Sequence, residues 1–228
     1  MRSNRPGDGV PARFPDRAAA GRLLGPRVAQ LGLPDPVVYA LPRGGVPVAA
    51  EVAAALGAPL DLVLVRKIGA PGQKELALGA VVDGDAPEAV LNEEVVAATG
   101  ATEAFIAAAR ARELAEIERR RLRYLGGRAR QDPKGRNVVV VDDGLATGAT
   151  ARAALHALRR QGAARLVLAV PVAPPGTAEA LRGEADALVC LRTADLPFGI
   201  GAFYDDFHQL TDAEVVALLG GVQAAKGA

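Results

Sequence analysis

Apolar residues along this chain fall into two patterns. Short unbroken runs form the first, and Val138 to Val141 is the clearest, with four consecutive valines. Such a run is too short and too β-branched for a helix, and reads as a strand buried on both faces. Val37–Leu41, Leu60–Val65, Arg165–Val170 and Asp186–Leu191 have the same character. Leu78–Val82 and Ala89–Leu91 read as shorter strands around Asp83-Gly84-Asp85, a hairpin or meander at the sheet's edge. In the second pattern apolar residues recur three and four apart. From Asp16, a candidate cap, to about Leu31 they form one side of a helix through Ala18, Leu23, Leu24, Val28 and Leu31, which Pro34 and Pro36 stop. Helices are also expected at Val46–Leu56, from Thr102 to about Tyr124, at Ala151–Gln161 and at Thr177–Arg182. Thr211 to Glu214 forms a capping box that starts a last helix to Leu219.

Strand and helix patterns thus alternate, which argues for an α/β fold: a Rossmann-like, mostly parallel sheet flanked by helices. Pro171, Pro174, Pro175 and Gly176 are expected to break the chain after the strand at Arg165–Val170. Residues 1–12 are polar and aperiodic, and read as a disordered leader. Composition changes this picture little. The 228 residues are half hydrophobic, ample for a core, and a net charge of +1 argues against a protein that coats nucleic acid. The arginines of the long helix, Arg110, Arg112, Arg119, Arg120, Arg121 and Arg123, interleave with Glu113, Glu116 and Glu118, as on a solvated face. One cysteine, Cys190, excludes an internal disulfide framework and suits a reducing compartment. No apolar run approaches the roughly 18 residues of a membrane span. The expectation is a cytoplasmic protein with no membrane partner.

Chemistry concentrates in Asn137 to Thr150, NVVVVDDGLATGAT. The valine strand runs straight into Asp142 and Asp143, followed by a loop of small and hydroxylic residues and then a helix. That order gathers unpaired backbone N–H groups and the positive end of a helix dipole at one point, suited to a phosphate. Thr147 and Thr150 can add hydroxyl donors. An ordinary strand-to-helix turn with a threonine cap would use the same residue types.

The stretch from Val138 to Thr150 closely resembles the phosphoribosyl-pyrophosphate (PRPP) signature of type I phosphoribosyltransferases. The resemblance implies that Asp142 and Asp143 hold the ribose hydroxyls, directly or through a magnesium-bound water, and that Ala146, Thr147, Gly148, Ala149 and Thr150 wrap the 5-phosphate. It also implies the type I fold, with residues 13–228 as one domain, a core at about 37–192, a helical insertion at about 100–130 and a C-terminal hood at about 193–220. Dimers are usual in the family, so a homodimer is implied.

After the first strand, Pro42-Arg43-Gly44-Gly45 opens into a helix; the glycines permit close backbone approach and Arg43 offers a planar cation. This resembles the family's pyrophosphate loop. Val65 to Gly72, VRKIGAPG, resembles the strand end and mobile loop of adenine phosphoribosyltransferases. On that resemblance Arg66 and Lys67 grip pyrophosphate, with Lys67 catalytic beside Asp142 and Asp143, while Ile68–Glu75 forms a loop that closes over the site. Ala146 stands where 6-oxopurine enzymes carry an aspartate, which disfavours hypoxanthine and guanine. Of five phenylalanines and three tyrosines in the chain, Phe198, Phe203, Tyr204 and Phe207 crowd into Phe198–Phe207. They either pin the C-terminal segment to the core or, through Phe203 and Tyr204, form a wall for a planar base. Phe14 and Arg17 read as a packing anchor and a surface charge. The expected reaction is transfer of phosphoribosyl from PRPP to a nitrogenous base with Mg2+ and release of pyrophosphate. A PRPP-sensing regulator without catalysis, or a hydrolase or phosphorylase of ribosyl phosphates, would use the same pocket.

Overall fold

The computed structural model describes residues 9–84 and 87–224. In chain order the elements are α1 (Arg17–Ala29), β1 (Pro36–Ala40), α2 (Gly45–Leu56), β2 (Leu60–Leu62), β3 (Val65–Ala70), β4 (Gln73–Val82), β5 (Glu88–Leu91), α3 (Glu93–Thr99), α4 (Glu103–Leu125), β6 (Asn137–Val141), α5 (Ala149–Arg160), β7 (Arg165–Ala173), α6 (Pro175–Arg182), β8 (Ala187–Thr193) and α7 (Asp212–Ala224). A short 3₁₀ turn, Ile200–Phe203, lies before α7. Residues 1–8 of the expected leader and Asp85 of the expected hairpin connection lie outside the described residues.

Five strands form one sheet in the order β2-β1-β6-β7-β8, all parallel. The valines of β6 are fully buried because β1 and β7 flank the strand and helices cover both faces. Alternate strand residues feed two cores. Val139 and Val141 join α1, α2 and α7 residues on one face, and Val138 and Val140 join α5 and α6 residues on the other. Parallel strands bring every carboxyl end to one edge of the sheet, so β1 and β6 deliver their following loops side by side.

Helix α1 starts as expected, with the Asp16 side chain accepting from the Ala19 amide at 2.6 Å. Its buried face differs from the expected stripe. Leu23 is exposed, and the buried positions are Arg17, Ala20, Gly21, Leu24, Gly25 and Val28. The reason is close packing on α2: a Cβ on Gly21 would lie 2.7 Å from the Val48 carbonyl, and one on Gly25 would lie 2.7 Å from the Ala55 methyl.

Further corrections concern the strands and the long helix. The run Leu60–Val65 is not one strand: β2 ends at Leu62, and Val65 starts a separate antiparallel sheet, β3-β4-β5. The expected mobile loop Ile68–Glu75 is therefore the end of a hairpin, turning at Pro71-Gly72 with Ala70 paired to Gln73. Pro171 does not end its strand but sits inside β7. There it costs little, because pairing with β6 has already stopped at Ala169. On α4, capped by Thr102 as expected, the charges are not all solvated. Arg121 is buried and bridges Asp61 at 3.0 Å and Asp83 at 2.8 Å, both buried, which ties α4 to β2 and to the end of β4.

Candidate active site

Asp142 and Asp143 lie directly beyond β6, and the Arg43 loop lies directly beyond β1. The Leu41 amide donates to the Val141 carbonyl at 2.9 Å, which locks the two strand ends together. The approach is so tight that a Cβ on Gly44 would sit 2.0 Å from Asp143 Oδ2, and one on Gly45 would sit 2.6 Å from the Val141 carbonyl oxygen. Gly44 has φ −58° and ψ −36°, so contact with the acidic pair, not a positive φ, requires glycine here. The Pro42–Arg43 peptide is cis. The Arg43 guanidinium turns toward α7, 3.7 Å from Asp212.

Beyond the acidic pair, Gly144 and Leu145 are buried while Ala146, Thr147, Ala149 and Thr150 are exposed. The Leu145 amide donates to the Val172 carbonyl, and the Thr177 hydroxyl donates to the Ala146 carbonyl at 2.8 Å, which fixes the loop from both ends. Gly148 caps α5 with φ 74°, where any side chain would strain the backbone and meet Leu181. Gly148 has no side chain to cap this end, and the Ala149 amide donates to the Thr147 hydroxyl oxygen at 3.4 Å. The N–H groups of the first turn of α5 have no helical acceptor, and Thr147 and Thr150 beside them are exposed, an arrangement suited to an anion.

The two carboxylates differ. Asp143 is buried and its Oδ2 accepts from Arg17 Nε at 2.8 Å. Asp142 keeps some exposed surface, and its Oδ1 accepts from the Asp143 amide at 2.9 Å. Burial first, and the charge of Asp143 second, push the Asp142 carboxyl well above the usual aspartate range. No cluster of three or more His, Cys, Asp or Glu groups able to cage a metal occurs among the described residues. Two neighbouring carboxylates still fit a magnesium ion that is held mainly by substrate phosphates, since such ions take one or two protein carboxylates.

The cations expected beside this pair are dispersed. Arg66 and Lys67 are neighbours on a strand and point to opposite faces, so they do not act as a double grip. Arg66 Nε donates to Glu113 on α4 at 3.1 Å. Lys67 is exposed and its Nζ donates to Glu75 across the hairpin at 3.0 Å.

Tyr204 is not part of an open wall. It is 1% exposed, packs against Phe14 and Phe207, and donates its hydroxyl to the Asp143 carbonyl at 2.6 Å. Burial, and then the nearby Asp143 charge, raise its phenol above the ordinary value. Phe203 is half-buried, with the Arg192 guanidinium 5.7 Å over its ring. The open aromatic is Phe198, 87% exposed, two residues before Ile200, whose side chain lies against Gly144. Arg17, expected from the sequence to be a surface charge, is instead buried against the acidic pair. Its partner lies 126 positions away, so no local signal marks it.

Residues 17–208 match the phosphoribosyl transferase domain family model. Two curated relatives from Mycobacterium tuberculosis, "Putative phosphoribosyl transferase MT0597" of strain CDC 1551 and "Putative phosphoribosyl transferase Rv0571c" of strain H37Rv, are each 49% identical over 206 residues. That match takes in 90% of this chain but 46% of each relative, so the chain spans about half their length. Among solved structures, TT1426 from Thermus thermophilus is 46% identical with a TM-score of 0.79, covering 91% of this chain and 97% of that one.

Proposed function

As the chain belongs to the phosphoribosyl transferase family, we propose that it binds PRPP with Mg2+ and transfers the 5-phosphoribosyl group to a nitrogenous base, releasing pyrophosphate. The observation that carries this is the junction of the β1 and β6 loops, where Gly44 touches Asp143 and the open start of α5 lies a short loop further on. A ribose 5-phosphate with a 1-pyrophosphate spans these three groups. Its phosphate takes the α5 amides with Thr147 and Thr150, its hydroxyls take Asp142 and Asp143, and its pyrophosphate faces the Arg43 loop.

As the bond from the anomeric carbon to pyrophosphate breaks, positive charge grows on the ring and negative charge on the leaving group. Arg43, released from its long contact with Asp212, neutralises the leaving group, with Lys67 as a second cation on its flexible stem. The carboxylates hold the ring in line with the incoming base nitrogen. Magnesium, bound by the pyrophosphate and by Asp142 and Asp143 directly or through water, would supply further charge neutralisation. In this reading Arg66 stays with Glu113, Tyr204 is an internal support, and Phe198, with Phe203 behind it, is the surface on which a planar base stacks. Ala146 offers no carboxylate to a purine N7, which keeps 6-oxopurines disfavoured.

The reading takes residues 13–228 as one domain acting in the cytoplasm as a homodimer. Pairing of the α4 arginines with Glu116, Asp61, Asp83 and Asp212 leaves that helix poorly suited to nucleic acid. Calorimetric titration of PRPP with Mg2+ into the wild type and into the Asp142→Asn/Asp143→Asn double variant tests the proposal. Binding that the double variant loses, followed by base-dependent pyrophosphate release, is the expected result. Absence of PRPP binding to the folded wild type refutes it; binding without base-dependent turnover would favour a sensor.

A further inference from the structure

The least expected group in the molecule is the Arg17 guanidinium, because it is a buried cation reaching the acidic pair from outside the strand-loop-helix unit. Its Nε donates to Asp143 Oδ2 at 2.8 Å and its Nη1 donates to the His208 carbonyl at 3.0 Å. Its Cζ lies 3.8 Å from the centroid of the Phe207 ring, a cation–π contact in a desolvated setting. Burying a guanidinium is costly unless it is paired and fully hydrogen-bonded, and here one carboxylate, one carbonyl and one ring share it.

Arg17 also stands where residues 13–17 meet residues 203–208. The Phe14 amide donates to the Phe203 carbonyl at 2.8 Å, the Asp205 amide to the Phe14 carbonyl at 2.9 Å, and the Asp206 amide to the Pro15 carbonyl at 2.9 Å. Arg13 adds a contact to the Tyr204 carbonyl and an ion pair with Asp205. Residues 13–17 and 203–208 therefore form one strap, and it touches Asp143 twice. Arg17 holds the carboxylate, and the Tyr204 hydroxyl holds the main-chain carbonyl at 2.6 Å. Asp143 is thus held at both its side chain and its backbone by chain segments distant from β6.

We propose that Arg17 is a positioning residue for the acidic pair, fixing the Asp143 carboxylate for the ribose of PRPP and making that geometry depend on the docked 203–208 strap. The inference rests on the phosphoribosyltransferase reading for its ligand, but the strap itself can be read without one. The bond from Arg17 to Oδ2 fixes the plane in which the Asp143 carboxylate is presented. A rotation of the Asp143 side chain would break the Arg17 bond first, so the guanidinium sets the orientation of the carboxylate.

The test compares the wild type, Arg17→Met and Arg17→Lys in two measurements. Calorimetry with PRPP and Mg2+, and separately with inorganic phosphate, reads the ribose and the 5-phosphate parts of the site independently. Hydrogen exchange of the folded proteins reads the strap whether or not PRPP binds. Arg17→Met is expected to weaken PRPP by about 10- to 100-fold, the usual effect of losing an orienting partner, with inorganic phosphate affinity unchanged. Exchange should quicken at 142–150 and 203–208 and stay constant in β1, β6 and β7. Arg17→Lys, which keeps the charge but cannot reach both acceptors with a planar fork, should recover part of the loss. It also serves as the variant should Arg17→Met not fold, with a several-fold loss for PRPP expected. Equal weakening of PRPP and phosphate, unchanged PRPP affinity, or faster exchange spread over the whole sheet overturns the inference. A wild type that binds no PRPP defeats the transferase reading alone; the exchange pattern then decides whether Arg17 positions Asp143.

Discussion

Replacing Gly44 by alanine asks whether the Arg43 loop must touch the acidic pair. The backbone at Gly44, φ −58° and ψ −36°, accepts any L-residue, so alanine brings no dihedral strain. What it brings is a methyl group 2.0 Å from Asp143 Oδ2 and 2.5 Å from its Cγ, where real Cβ contacts essentially never fall under 3.0 Å. About 1 Å of displacement must therefore be absorbed, and a misplacement of that size costs about 100-fold in catalysis. Asp143 resists moving because Arg17 holds its carboxylate and Tyr204 its carbonyl. The loop resists because Gly45 already faces the Val141 carbonyl with no room for a further approach. Overpacking of this kind costs about 1–3 kcal/mol of stability. Urea unfolding and PRPP titration with Mg2+ read the two effects separately. The expected result is a folded Gly44→Ala protein with a lowered urea midpoint and PRPP affinity at least tenfold weaker. Wild-type affinity in Gly44→Ala would refute the argument, because the loop and the carboxylate would then be able to part without consequence.

Four further outcomes follow from particular contacts. Arg121→Met strips buried Asp61 of its guanidinium partner and leaves Asp83 paired with Arg130, and should cost about 3 kcal/mol in urea unfolding; a cost near zero would show that water reaches the Asp61 carboxylate. Tyr204→Phe removes one donor from the Asp143 carbonyl and should cost about 1 kcal/mol while weakening PRPP; unchanged stability and affinity would show that the carbonyl needs no such support. Because burial and Asp143 raise the Asp142 carboxyl in the folded state, folding favours its protonated form. Its contribution to stability is then greatest at acid pH and falls as pH rises from the ordinary aspartate range through the raised value. Metal-free Asp142→Asn should lose that fall and melt higher than wild type near neutral pH, and identical pH profiles would contradict the assignment. Phe198→Ala, at a position 87% exposed, should leave the melting temperature and PRPP affinity unchanged but raise KM for the base; an unchanged KM would remove Phe198 from the acceptor surface.

The chain's own pattern carried much of this protein's organisation. Four valines closed by two aspartates and a small-residue loop announce a doubly covered strand and a helix start, because strand burial and helix-end chemistry are local properties. The capping residues Asp16, Thr102 and Thr211 were legible for the same reason: each acts on an amide three positions away. Leu60–Val65 divides between two sheets because a run of apolar residues does not say which sheet it joins. Only the antiparallel pairing of Val65 with Val82 separates β3 from β2 and makes Ile68–Glu75 the end of a hairpin. That pairing also sends Arg66 and Lys67 to opposite faces, which adjacency in the sequence had concealed.

Tertiary structure alone decided how the acidic pair is held. Arg17 looks like any arginine in a first helical turn, and Tyr204 like any aromatic in a crowded segment. Their partner lies 126 and 61 positions away respectively. Which buried charge meets which carboxylate depends on how α1 and the C-terminal strap dock on the sheet, a long-range arrangement that no local periodicity encodes. The sequence by itself determined the valine strand, the acidic pair and the helix start that follows, because each is a local pattern; the packed chain determined how Asp143 is oriented, because only packing brings Arg17 to its Oδ2.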